Sequence, residues 1–247
     1  MKLQFVAAVF LGALSLQNAM AQSVAAPKLN EGDTWSYSVT EEKSVSGVMN
    51  SSTKKWEFTV KRVGSKDFSI AYKPVDSNLP PREQLRNLDW SLTENVAGKL
   101  TTTGKPFDFP MTEGKKWSIE FTKENPTAKI KSEKSTINYT ALGWQDVSTP
   151  AGNFHALKIE VETEWTQQFN EVPATATASV AAGQAGSAGV TAATKAYTPA
   201  PVSGKAYEVL WYAPEVKKYV KFLYESYQAN GQLAKRTTEV LESYKVQ

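Results

Sequence analysis

The sequence predicts an all-β protein, mainly antiparallel, built as a single curved sheet or incomplete barrel with little helix. Two observations carry that prediction. Apolar and polar residues alternate with period two in segment after segment, the signature of strands with one wet face. The alternation is also one-sided: Leu157, Ile159, Val161, Thr163 and Trp165 interleave with Lys158, Glu160, Glu162, Glu164 and Thr166. A buried parallel strand would instead read as a continuous apolar run.

The first residues stand apart from this pattern. A single Lys2 precedes "LQFVAAVFLGALSL", and the run ends in "NAMAQ" with small residues at Ala19 and Ala21. That arrangement predicts a signal peptide over residues 1–21, cleaved after Ala21, and hence export to the periplasm. The run is short for a bilayer span, so no integral membrane segment is expected in the mature chain. Residues 22–31 read as an N-terminal tether, and residues 32–247 as a single β domain.

Within that domain Trp35, Tyr37 and Val39 alternate with Thr34, Ser36 and Ser38, and Trp56, Phe58 and Val60 repeat the pattern. Phe68, Ile70 and Tyr72 follow a turn at "VGSKD", whose glycine tolerates turn geometry. A strand is expected around Asn87 to Thr93, where Leu88, Trp90 and Leu92 alternate; Leu85, Leu88 and Leu92 also fit helical spacing. Trp117, Ile119 and Phe121 define the next strand, with Ile137 and Tyr139 on the inner side of another. From Val172 to Gly204 the chain is rich in alanine, glycine, serine and threonine, and Lys195 is its one charge. Such residues bury too little surface to offset ordering, so about 172–204 reads as a flexible loop joining neighbouring strands. Strands resume beyond it, with a break at Ala213-Pro214 and a turn at Asn230-Gly231.

One short frame occurs twice: "GDTWSYSVT" from Gly32 and "GKKWSIEFT" from Gly114. Both read as a glycine turn feeding a tryptophan-bearing strand. Two weakly repeated sheet halves are one explanation, and shared strand grammar is the other.

Composition narrows the chemistry. There is no cysteine and one histidine, His155, so thiol nucleophiles and disulfides are impossible and any histidine-dependent site must use His155, which lies at the mouth of a strand. No phosphate-cradling loop or nucleophile elbow is present. Neither catalytic residues, cofactor nor metal is expected. Twenty-eight Lys and Arg against 25 Asp and Glu are scattered, which argues against a nucleic-acid groove. Glu160, Glu162 and Glu164 share the face opposite Leu157, Ile159 and Val161, as a solvated row would. The tryptophans lie mostly in strands, as core residues do. Where a curved sheet leaves part of that aromatic face open, Trp35, Tyr37, Trp56, Trp117, Trp165 and Trp211 are the candidate ligand-binding residues.

"TPAGNFHALKIEVETEW" and "WYAPEVKKYVKFLYES" resemble a pattern of uncharacterised exported proteins of Gram-negative bacteria: a T-P-x-G-x-F turn, then a W-(F/Y)-A-P strand. Here those positions are Thr149, Pro150, Gly152 and Phe154, then Trp211, Tyr212, Ala213 and Pro214. The resemblance implies a curved antiparallel sheet akin to the half-barrels of periplasmic lipoprotein carriers, and transfers no catalytic residue. The expected function is a non-enzymatic periplasmic binding or carrier module for an apolar small molecule or partner segment. A structural or protein-interaction role in the envelope is the alternative, and a carboxylate-dependent hydrolase the second.

Overall fold

The computed structural model describes residues 23–45, 47–174, 176–177, 192–193, 195–228 and 231–247. The expected signal peptide, Asn230 and residues 178–191 of the alanine-rich stretch lie outside the described residues.

Fourteen strands follow in chain order among the described residues: β1 (Thr34–Val45), β2 (Val48–Val63), β3 (Asp67–Pro74), β4 (Arg82–Asn87), β5 (Leu92–Val96), β6 (Lys99–Gly104) and β7 (Lys116–Glu124). Then come β8 (Ile130–Thr149), β9 (Gly152–Phe169), β10 (Ala176–Thr177), β11 (Ala192–Ala193), β12 (Val202–Ala213), β13 (Lys218–Tyr227) and β14 (Leu233–Lys245). No helix occurs among the described residues. Ten strands form one antiparallel sheet in the order β4-β3-β2-β1-β14-β13-β12-β9-β8-β7. It is a meander from β7 to β14 continued by β1 to β4, so β1 and β14 pair at its middle: Trp35 lies opposite Tyr244 and Tyr37 opposite Leu241.

The sheet bends but does not close, since β4 and β7 are its two edges. Chain from Leu88 to Lys115 returns from one edge to the other and carries the β5–β6 hairpin. Lys123 on β7 meets Glu94 on β5 at 2.6 Å, which ties the hairpin to the far edge. Phe107 and Met111 from the same return are buried. The bend therefore encloses an interior with the hairpin segment along its open side.

The expected strand across Asn87 to Thr93 is interrupted by a turn from Leu88 to Ser91, between β4 and β5. The Asp89 carboxylate accepts the Ser91 amide at 2.9 Å, and the Asn87 side chain donates to Ser91 and Thr93 hydroxyls at 2.8 and 3.1 Å. Short polar side chains here give the backbone an alternative to ladder bonds. Trp90 sits at φ 67°, a left-handed conformation costly for a bulky residue. Its compensation is burial: the ring packs edge-on against Trp35 at 5.6 Å and Phe68 at 5.0 Å.

Within the tether expected at 22–31, Val24 and Leu29 are docked. Val24 exchanges two 2.8 Å backbone bonds with Met111, and Val24 and Leu29 are buried; both are apolar, and burying them offsets the ordering of the segment. The alanine-rich stretch lies between β9 and β12, which pair. Its described ends extend that ladder, with Val172 and Tyr197 bonded reciprocally at 2.8 and 3.2 Å. β12 begins at Val202, where Val202 and Ser203 pair with Gln167 and Thr166.

Both glycine–tryptophan frames open a strand after a positive-φ glycine, Gly32 at 86° and Gly114 at 80°. One strand, β1, lies in the middle of the sheet; the other, β7, is an edge.

Candidate functional site

The concave side of the sheet holds a cavity of about 680 Å³, lined by residues from β1 through β4, the return segment, β8 and β12 to β14. Its wall is aromatic and aliphatic: Trp56, Phe58, Tyr72, Tyr139, Tyr219 and Phe222 are prominent. Cross-strand register arranges it in rows. Glu208, Tyr224, Thr237 and Glu41 are successive neighbours across β12, β13, β14 and β1. Leu210, Phe222, Glu239 and Val39 form the next row, so Glu208 and Glu239 stand one row apart on the inner face.

Two carboxylates are written into inward phases of their strands, Glu208 with Ala206 and Leu210, and Glu239 with Thr237 and Leu241; Lys218 precedes Val220 by two at the start of β13. Arg86 follows Gln84 by two on β4, and both line the cavity. A β-bulge at Val220, where β12 and β13 slip register, shifts the alternation so that Tyr219 and Phe222 both line the cavity, 5.6 Å apart.

Lys218 is buried, with its ammonium 3.9 Å from the Phe58 ring centre, 4.4 Å from Tyr37, 4.7 Å from Tyr219, 5.7 Å from Trp35 and 5.8 Å from Trp90. Ring faces attract a cation, yet Lys218 Nζ has no hydrogen-bond partner among the described residues. Burial pulls the Lys218 ammonium down to about 7; the carboxylate of Glu239 opposes that shift and the guanidinium of Arg86 adds to it. Burial likewise pushes the Glu208 carboxyl up to about 7.

Glu239 accepts the Tyr219 hydroxyl at 2.6 Å, and the Tyr37 hydroxyl donates to the Tyr219 carbonyl at 2.6 Å. Both phenols are held well above the ordinary tyrosine range, by burial first and then by Glu239. Arg86 donates to the Trp90 carbonyl at 3.0 Å and to Gln84 at 3.1 Å. Neither Arg86 nor Lys218 forms an ion pair among the described residues.

The six aromatic candidates take different places. Trp56 lines the cavity directly. Trp35 and Tyr37 lie behind it, fully buried, as two walls of the Lys218 cage; the Trp35 indole donates to the Val216 carbonyl at 2.8 Å. Trp117 stacks on Tyr139, a lining residue, at 5.2 Å and 4°. Trp165 lies over Gly204, where a Cβ would come within 2.2 Å of its ring. Trp211 alternates with the lining Leu210, donates to Gln145 at 3.0 Å and carries Lys221 over its ring at 5.1 Å, so it faces away from the cavity.

Sequence reasoning missed Lys218, Arg86, Glu208 and Glu239. For Glu208 and Glu239 the readable signal was a charge occupying the apolar phase of an amphipathic strand. The outer carboxylates Glu160 and Glu164 meet Lys158 at 2.7 Å and Lys205 at 2.6 Å. His155 is exposed, stacks on Trp144 at 5.2 Å and bonds Asp146 at 2.7 Å. No trio of His, Asp or Glu is placed to hold a metal among the described residues. No helix among them is long and apolar enough to cross a membrane.

No protein-family model matches the chain, and no curated protein does. Two solved structures resemble its fold. One is a protein from Bacteroides fragilis NCTC 9343, ascribed to the exported class and to a YmcC-like fold, with TM-score 0.43 and 14% identity over 91% of this chain and 100% of that one. The other, from Parabacteroides distasonis ATCC 8503, is ascribed to the lipoproteins; its TM-score is 0.44 and its identity 13% over the same shares. At such values no residue role carries across. The fold and cavity by themselves define a bent antiparallel sheet around an aromatic pocket.

Proposed function

We propose that this protein is an exported, non-enzymatic binding or carrier module of the cell envelope whose concave face takes an apolar or amphipathic small molecule. The observation that carries the reading is the 680 Å³ cavity itself. Its volume falls within the range of small-molecule pockets, and its wall combines apolar surface with a few inward polar groups. A filled interior would have supported a purely structural role instead. Export follows from the leading "LQFVAAVFLGALSL" run and the small residues at Ala19 and Ala21.

The test is to purify the protein under mild conditions from the compartment in which it accumulates and to record native mass spectra. A reproducible added mass, released on denaturation and identified as an amphiphile, is the expected result. Recovery of bare protein from several preparations, with no uptake of added amphiphiles, would overturn the reading.

A further inference from the structure

We propose that the cavity ligand is an amphiphile with a single carboxylate head, seated against Arg86 and with its apolar part along the wall of Trp56, Phe58, Tyr72 and Phe222. This rests on the binding reading above and adds the chemical class of the head. The geometry supporting it is the placement of two cations in one aromatic enclosure. Arg86 lines the cavity, spends two of its donors on Gln84 and the Trp90 carbonyl, and has no carboxylate partner among the described residues. A guanidinium has five donors in a fixed planar fork suited to a carboxylate. Lys218 adds a second positive centre in the same enclosure and makes no hydrogen bond among the described residues. Its ammonium is sealed by the rings around it, so it acts on the head through the field rather than by contact.

The other charged and titratable groups of the enclosure fix the expected sign of the pH response. Glu239 on β14 accepts the Tyr219 hydroxyl; Tyr37 on β1, Tyr72 on β3, Tyr139 on β8 and Tyr224 on β13 complete the wall. At the rim Glu41 is paired with Lys235 at 3.2 Å and Lys43 at 3.1 Å. With Lys218 protonated and Glu208 neutral, Arg86 and Lys218 outnumber Glu239 by one charge; with Lys218 neutral and Glu208 ionised, the two carboxylates outnumber Arg86 by one. Both groups titrate at about 7, so acidification makes the interior more favourable to an anion. The single surplus charge suits a carboxylate better than a doubly charged phosphate.

The experiment compares dodecanoate, dodecanol and dodecyltrimethylammonium by tryptophan fluorescence titration on the whole protein at pH 6 and pH 8.5. Dodecanoate should bind about tenfold or more tightly than dodecanol at pH 6, the ratio expected of a charged hydrogen bond in a dry site. That preference should shrink at pH 8.5. Arg86→Gln should bring dodecanoate down to the affinity that dodecanol shows for the same variant. Because Arg86 also supports the Trp90 turn, the pH 6 to pH 8.5 ratio of the unaltered protein serves as a readout independent of the variant. Equal binding of all three, or preference for the ammonium, overturns the carboxylate assignment and leaves the binding reading intact. Binding of none overturns both.

Discussion

The outer and inner faces of the sheet treat charge in opposite ways. Outside, Lys158 meets Glu160, Lys205 meets Glu164 and Arg236 meets Glu225 at 2.6 to 2.7 Å. Inside, Lys218 and Arg86 share an aromatic enclosure with no ion-pair partner among the described residues. An exposed pair such as Lys205 and Glu164 contributes little to stability, because water already solvates both members. A buried unpaired cation is costly, and a fold that keeps one in a cavity holds a group whose charge responds to what enters. The difference teaches that the strand grammar alone builds the outer face, while the inner face departs from that grammar at particular positions.

The largest effect that would break this contrast comes from removing the wall that keeps the inner charges dry. Trp35→Ala deletes a fully buried ring, its bond to Val216 and one wall of the Lys218 cage. It should destabilise the protein by about 3–5 kcal/mol in denaturant unfolding. Next is Lys218→Met, which replaces a buried cation by an apolar chain of similar length and should stabilise the fold by about 1–4 kcal/mol. The matched outer change, Lys205→Met, should leave the melting temperature where it is. Equal responses of the two lysines would erase the distinction between the faces.

A smaller and more specific effect lies in the pH dependence. The Lys218 ammonium falls from 10.5 in ordinary surroundings to about 7 in the fold, so between those values the unfolded chain binds more protons and stability rises with pH. The Glu208 carboxyl rises from 4.5 to about 7, so between those values the folded chain binds more protons and stability falls as pH rises. Together they place a minimum of stability near pH 7, which unfolding titrations across pH 5 to 9 would detect. Glu208→Gln should flatten the acid side and Lys218→Met the alkaline side. Smallest of all, His155→Ala on the exposed face should change ligand affinity by less than about threefold.

The scaffold was legible because its strands are amphipathic and antiparallel: Leu157 to Trp165 reads as a strand without any tertiary information, and the T-P-A-G turn and the Ala213-Pro214 break fall between strands as expected. The site was less legible for definable reasons. Inward phase identifies residues such as Trp35 and Trp165 but not how far along the bend they lie, and only Trp56 of the six candidates borders the cavity. Trp211 belongs to the other phase of β12, which the intervening Leu210 reveals. The turn at Leu88 to Ser91 was hidden because alternation of Leu88, Trp90 and Leu92 imitates a strand, while Asn87 and Asp89 redirect the backbone. Lys218 alternates with Val220, Phe222 and Tyr224 in the sequence, but the bulge at Val220 breaks that phase in the fold, so its place was not legible from alternation. The sequence "VKKYV" offers two adjacent lysines, and tertiary placement separates them: Lys217 pairs with buried Asp33 at 2.9 Å, whereas Lys218 enters the cage.

The central claim, that the concave face keeps a dry cation beside an accessible cavity, is tested most directly by following the side-chain carbon resonance of Lys218 in isotope-labelled protein as pH is raised. The account predicts a midpoint about 7, moving upward when dodecanoate is bound. A midpoint near the ordinary lysine value of 10.5 in the protein without ligand would contradict it.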